Sequence, residues 1–248
     1  MNRYKAAGIH LTLSILIAFV MLILVFGVWY PNGYGKLLGV GSIYFLLMGV
    51  DVCLGPLLTL VVYNEKKKEL KFDLCIIIII QVAALIYGAS IVFQSRPVFN
   101  VFETDMFKVT LASELKDEKL ALAKKPEWRK LSWSGPVLVA ALGSADPKEK
   151  EELVFAALNG EDWNVFPKLF VDYDGQRKNV LIKAKPLTNL RKLSAEKSYV
   201  IDGFLESKKR PESDFLYLPI VHSFKVMTAI LDSKNAEFIE IIDIDSKI

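Results

Sequence analysis

Cysteine and histidine are scarce, with only two of each in a chain of 248 residues. Cys53 and Cys75 both fall in long apolar segments. At 1.5 Å per helical residue their expected depths in a membrane differ by roughly 13–14 Å, too far for a disulfide bond. Both are expected to be small core residues. Residues 94–248 contain one His and no Cys, which argues against a zinc- or disulfide-based scaffold there.

An excess of positive charge is also lacking in the polar part of the chain. Residues 94–248 carry 24 basic and 24 acidic side chains, so a basic nucleic-acid-binding face is not expected. The sequence contains no G-x-S-x-G, H-E-x-x-H, P-loop or G-x-G-x-x-G pattern. His222 falls in a strand pattern, and Asp172 and Asp174 flank a predicted turn. The residues therefore offer no catalytic constellation, and no metal or cofactor site is expected.

Long apolar runs are abundant and explain the mean hydropathy of +0.33. There are three such runs, at residues 9–30, 37–63 and 74–93. Together they contain a single charged side chain, that of Asp51. A helix needs roughly 20 apolar residues to cross a bilayer. The first run is too long, and lacks the A-x-A site, for a cleaved signal peptide. Residues 1–93 are therefore predicted to be a region of three transmembrane helices.

Positive charge near the predicted spans is unevenly distributed. Six basic residues flank the N-terminus and the loop between the second and third spans, whereas the loop between the first and second spans has only Lys36. The positive-inside rule places the N-terminus in the cytoplasm. Residues 94–248 then face the periplasm or exterior.

Asp51 is the polar exception within the second span. A carboxylate at this depth costs about 2.5–3.5 kcal/mol, so it should face protein rather than lipid. Pro56 frees a backbone carbonyl and predicts a kink, and Gly49 and Cys53 allow close approach of another helix. Three interpretations stay open: a structural hydrogen bond from Asp51 to Tyr87 or Gln81, a docking point for a polar group on a partner helix, and an ion or proton path.

Residues 94–248 alternate short strand patterns with short amphipathic helices, as in an α+β domain. A strand is predicted at residues 107–111, and helices at 113–125, after Pro147, and around Leu187–Leu193. Three strands are predicted near residues 215–221, 226–232 and 237–244. Trp128, Trp133 and Trp163 are candidates either for the core or for a partner groove.

The order of motifs resembles the TfpX/TfpZ family of type IV pilin accessory proteins over nearly the full length. The residues that carry the resemblance are Met1–Ala6, Gly8–His10, Trp29–Pro31, Gly49–Val52, Leu54–Leu60, Arg96–Pro97, Lys130–Pro136, Tyr217–Ile220 and Met227–Thr228.

This resemblance implies a multi-pass protein of the bacterial inner membrane with a periplasmic C-terminal domain and no enzymatic activity. It implies a helper of type IV pilus biogenesis that is matched to one major pilin and affects assembly or the balance of extension and retraction. Inner-membrane assembly components and membrane lipids are further expected partners. The hypothetical pilin contacts are Gly49, Asp51, Cys53, Gly55 and Pro56 in the membrane and Trp133 outside it. The alternative is a membrane-tethered periplasmic sensor or ligand-binding protein that acts through a partner.

Overall fold

A computed structural model describes residues 2–246, which form two compact units. The first unit contains residues 2–29 and 39–95, and the second contains residues 30–38 and 96–246. The sequence-based boundary near residue 93 assigns residues 30–38 to the membrane region, whereas in the structure this segment clusters with the second unit.

The helices of the described chain are α1 (Arg3–Leu22), α2 (Tyr34–Leu37), α3 (Val40–Val62), α4 (Leu70–Gln94), α5 (Asp117–Ala121), α6 (Pro147–Leu158), α7 (Tyr173–Lys183), α8 (Leu187–Leu193) and α9 (Ser198–Lys208). The strands are β1 (Pro97–Glu103), β2 (Met106–Leu111), β3 (Val137–Ala141), β4 (Phe170–Asp172), β5 (Lys185–Pro186), β6 (Phe215–His222), β7 (Lys225–Asp232) and β8 (Phe238–Ile242). Short 3₁₀ turns join several of them.

Three helices of the first unit are long and apolar enough to cross a membrane, which confirms the three predicted spans. The first begins at Arg3, well before the predicted residue 9, because the Asn2 side chain accepts a hydrogen bond from the Lys5 amide at 2.9 Å and caps the helix. It continues beyond α1 as a π-helical segment, Ile23–Trp29. The second and third spans are α3 and α4.

Close packing in the first unit is carried by a few specific contacts. The Tyr44 hydroxyl on α3 donates to the Ala18 carbonyl on α1 at 2.6 Å, and its ring meets Phe26 edge-on at 5.5 Å. Helix α3 runs without interruption through Pro56, and the kink expected there stays a prediction.

The expectation that both cysteines are core residues is wrong. Cys53 and Cys75 are free thiols on the exposed surface of their helices. In a bundle of three helices each helix turns only one side toward its neighbours, so most apolar positions face lipid. Apolar surroundings in the sequence therefore do not identify a core position in this part of the chain.

The second unit is built on a mixed sheet of eight strands. Seven of them follow the order β4-β3-β1-β2-β6-β7-β8, and β5 pairs with β6. The β1–β3 and β2–β6 pairs are parallel, and the other pairs are antiparallel. The predicted strands at residues 107–111 and in the C-terminal part are confirmed, as are the helices after Pro147 and at Leu187–Leu193.

The helix predicted at residues 113–125 is wrong. Residues Ala112–Glu114 form a 3₁₀ turn and only Asp117–Ala121 are α-helical. The Glu114 carboxylate accepts from the Leu111 amide at 2.7 Å and closes the first turn, and Lys116 is extended (φ −88°, ψ 151°). A local side-chain hydrogen bond thus competes with helix propagation.

Residues 30–38 are fixed to the edge strand β8. The Ile241 amide donates to the Asn32 carbonyl at 3.0 Å, and the Tyr34 ring stacks on Phe238 with centroids 5.9 Å apart. Gly33 has φ +90°, and a Cβ there would overlap the backbone of Ile241. The turn is therefore possible because residue 33 is glycine.

Candidate functional site

A cavity of about 310 Å³ lies among the three long helices of the first unit. Its wall is mainly apolar and includes Leu13 and Ile17 from α1, Met48 from α3, and Ile78 and Leu85 from α4. Six side chains with polar groups also line it: His10, Ser14, Asp51, Thr59, Tyr63 and Gln81. Polar groups in membrane helices are rare and mark functional sites by default, so this cavity is the candidate site.

Helices α3 and α4 meet at Asp51 and Gln81. The Gln81 amide nitrogen donates to the main-chain carbonyl of Asp51 at 3.2 Å, and the same amide lies beside the Asp51 carboxylate. The Gln81 amide oxygen is buried and has no hydrogen-bond partner within the described chain. This contact leaves one strong acceptor unsatisfied at the wall of the cavity.

Gly55 makes the approach of Gln81 possible. A Cβ at residue 55 would overlap the side-chain amide of Gln81. Gly55 and Pro56 are both buried within the bundle. The small size of residue 55 therefore serves packing between α3 and α4.

The other predicted residues of α3 and α4 lie elsewhere. Gly49 and Cys53 are exposed on α3, on a different face from Gly55. Tyr87 is 70% exposed on α4. The structure thus brings Asp51, Gly55 and Gln81 together, and it places Gly49, Cys53 and Tyr87 on outward surfaces.

His10 and Thr59 join helix α1 to the same site, and sequence reasoning missed both. Their atoms Nδ1 and Oγ1 are 2.6 Å apart, and Thr59 is buried. His10 also lies close enough to Asp51 for a direct electrostatic interaction. An available signal was the histidine itself, because an ionisable group one residue inside an apolar run is unusual.

Trp133, the predicted contact in the second unit, is 62% exposed. It follows Ser132, whose carbonyl accepts from Arg96 Nε at 2.8 Å. Trp128 is buried, and Trp163 packs against the core. Of the three candidate tryptophans, Trp133 is the one at the surface.

An exposed apolar surface on α6 was not anticipated. Val154, Phe155 and Leu158 are each at least 59% exposed, whereas Leu153 is the buried contact of this helix. Four-residue spacing of Val154 and Leu158 was the available signal, because an amphipathic helix presents such a stripe on one side.

The last residue of strand β1, Glu103, is a buried acid. The Glu103 carboxylate is 3.2 Å from Lys108 Nζ, which also pairs with Asp162 at 2.6 Å. Burial raises the pKa of Glu103 to about 7, against the opposing effect of Lys108. Within residues 2–246, no group of three or more His, Cys, Asp or Glu side chains is arranged to hold a metal ion.

The fold and the cavity define a membrane protein with three spanning helices, a small polar cluster between them, and a separate mixed-sheet domain. Residues 1–39 match the family described as fimbrial assembly protein FimB. No solved structure matches the chain.

Curated relatives match far more of the chain. It is 33% identical over 245 residues to the fimbrial assembly protein of serogroup E1 from Dichelobacter nodosus, covering 98% of this chain and 95% of that relative. The serogroup I protein of the same organism matches to the same extent. The protein of serogroups C1 and C2 is 40% identical over 121 residues, covering 48% of this chain and 92% of that relative. The chain therefore belongs to the fimbrial assembly protein FimB family.

Proposed function

We propose that this protein is an inner-membrane accessory protein of type IV pilus biogenesis. It binds or stabilises its cognate major pilin and thereby modulates pilus assembly, extension or retraction. The relatives named as fimbrial assembly proteins, the resemblance to the TfpX/TfpZ family and the three apolar helices support this role. The role is one of binding, and no catalytic step is part of the proposal.

The polar cavity of the first unit carries the proposal. Asp51 and the buried amide oxygen of Gln81 offer acceptors at membrane depth. An unsatisfied acceptor away from water is unfavourable by about 1–3 kcal/mol, so a partner that brings a donor gains that contribution. A pilin subunit held in the membrane by one N-terminal helix offers such donors in its amine or in a buried polar side chain.

The second unit supplies the second contact. The charge distribution around the spans supports a periplasmic position for this unit, on the same side of the membrane as the head of an unassembled pilin. Two weak contacts joined in one molecule give a higher overall affinity than either alone. Such a complex still releases the pilin to the assembly machinery, because neither contact is strong.

In-cell photo-crosslinking tests the proposal with a matched pair on one helix. A photoreactive amino acid replaces Ile78, which lines the cavity and is 54% exposed, or Ile80, which is 63% exposed and lies outside the lining. A third probe replaces Trp133 in the second unit. We expect pilin adducts from residues 78 and 133 and a much lower yield from residue 80.

Three other results would contradict the model. Equal pilin capture from residues 78 and 80 would show that the cavity is not the contact. Capture of another pilus component in place of pilin would show that the protein acts on the assembly machinery. A small ligand bound by the second unit, without any pilus adduct, would favour the alternative of a membrane-tethered sensor.

A further inference from the structure

The strand register places the β6–β7 hairpin tip at the end of the sheet where the chain leaves the third span. Helix α4 ends at Gln94 and β1 begins at Pro97, which pairs with Leu111 at the end of β2. Strand β6 runs parallel to β2, so its last residue, His222, lies at that same end. The His222 ring nitrogen Nδ1 is 3.1 Å from the Val109 carbonyl. We call this end of the sheet, at which β1 begins and β2 and β6 end, the Pro97 end.

The segment that joins the first two spans reaches the Pro97 end independently. Residues 30–38 follow the end of the first span at Trp29 and precede the second, which begins at Val40. Within the second unit, Lys225 Nζ donates to the Lys36 carbonyl, and Lys225 is the first residue of β7. All three chain connections between the spans and the second unit are therefore short and arrive at one end of the sheet.

An aromatic side chain stands fully exposed at this end. Phe224, between β6 and β7, has essentially its whole side-chain surface open. The turn contains Ser223 at φ +51°, and Lys225 follows Phe224 in the sequence. Trp133 precedes β3, which is parallel to β1 with Val137 opposite Phe99, so this exposed ring also lies at the Pro97 end.

We propose that the Pro97 end is a membrane-interface anchor, in which Phe224 enters the boundary between lipid headgroups and acyl chains of the bilayer that holds the spans. Three short chain connections, at residues 29–30, 38–40 and 94–97, tether this end of the sheet to the ends of the spans, so bilayer lipid is within its reach. An exposed aromatic ring suits that boundary, because aromatic side chains are enriched where lipid headgroups meet the acyl chains. The exposed ring of Trp133 lies at the same end of the sheet.

Fluorescence quenching by spin-labelled lipid tests this anchor in the full chain. The two native cysteines are replaced by serine, and Ser223→Cys, which leaves Phe224 intact, carries an environment-sensitive fluorophore. The matched control carries the same label at Asp105→Cys, an exposed residue of the β1–β2 turn. That turn is at the opposite end of β1, roughly 20 Å away at about 3.3 Å per residue. Both proteins are reconstituted in vesicles that contain lipid with a nitroxide near the headgroup.

We expect strong quenching of the label at residue 223 and none at residue 105. Adding Phe224→Asp to the residue 223 protein should reverse much of the quenching, since a carboxylate does not enter the interface. Equal quenching at both positions, or none at either, would overturn the proposal. A blue-shifted label at residue 223 without lipid quenching would also overturn it and assign the tip to a protein contact.

Discussion

Gln81 on the third span donates its side-chain amide to the main-chain carbonyl of Asp51 on the second span, at 3.2 Å. The acceptor of this bond is a backbone group, and Gln81 can approach it because residue 55 has no side chain. Helix packing and the polar cluster are therefore coupled through Gly55. Substitutions of Gly55 are therefore expected to disturb helix packing. Substitutions of the Asp51 side chain leave the main-chain contact in place and test binding instead.

Replacing Gly55 by alanine should destabilise the first unit. The added Cβ would overlap the Gln81 amide, which must swing away and lose its hydrogen bond to the Asp51 carbonyl, a loss of about 0.5–1.5 kcal/mol. The measurement is thermal unfolding of the full chain in detergent. Gly49→Ala is the matched control on the same helix, because nothing lies within 4 Å of a Cβ at residue 49. A Gly55→Ala protein as stable as the control would contradict the close contact with Gln81.

Asp51→Asn should weaken pilin capture and leave the protein folded. Its main-chain carbonyl still accepts from Gln81, whereas the charge offered to a partner is removed. A hydrogen bond to a charged group contributes about 1.5–3 kcal/mol, so adduct yield from the residue 78 probe should fall on the order of tenfold. Asp73→Asn, at the start of α4 and paired with Lys67, is the control.

A different result would assign Asp51 a purely structural role. In that case Asp51→Asn would lower the abundance or unfolding temperature of the protein, while the pilin captured per remaining molecule stayed constant.

Local signals in the sequence were sufficient for elements that local chemistry determines. The Asp146 side chain caps α6 through the Lys148 amide at 3.0 Å, and Pro147 occupies the first helical position. Both residues are readable in sequence. Apolar length likewise identified the three spans. The helix predicted at residues 113–125 was wrong because the Glu114 carboxylate accepts a hydrogen bond from the Leu111 amide. Composition does not reveal a bond of this kind.

Contacts between distant segments could not be predicted. The attachment of Asn32 to Ile241 joins a short loop near the start of the chain to the last strand, and no periodicity reports it. The site was predicted in part for the same reason. Asp51 and Gln81 stood out as polar groups in apolar runs, but which residues of α3 face α4 depends on the rotation of each helix. That rotation separates Gly49 and Cys53 from Gly55.

The stability of the second unit should fall as pH rises from about 4.5 to 7. Burial raises the pKa of Glu103 from its ordinary value to about 7, so the folded state holds this proton more tightly than the unfolded state does. The contribution is present at low pH, is lost as pH rises through the folded pKa, and amounts to about 3 kcal/mol. Thermal unfolding of the full chain at pH 5 and pH 8 measures it.

Glu103→Gln should flatten this pH dependence, because the amide mimics the protonated acid at all pH values. Glu127→Gln, at a side chain 62% exposed, should leave the dependence as it is in the unmodified protein. An unchanged dependence in Glu103→Gln would mean that another group is responsible.

Gly33→Ala should detach residues 30–38 from strand β8. The residue has φ +90°, and the new Cβ would overlap the carbonyl of Ile241. Gly39→Ala is an unusually close control, because Gly39 also has positive φ (+67°) but nothing lies within 4 Å of its Cβ. The backbone conformation alone costs about 1–2 kcal/mol for alanine, so Gly39→Ala measures that contribution by itself.

Gly33→Ala should lower the unfolding temperature further and should expose the Ile241 amide to hydrogen exchange, since its acceptor is the Asn32 carbonyl. A contradicting result would be the same loss of stability in both variants and an Ile241 amide that stays protected. The segment would then accommodate a Cβ at residue 33 without detaching, and the stacking of Tyr34 on Phe238 would be the contact that holds it.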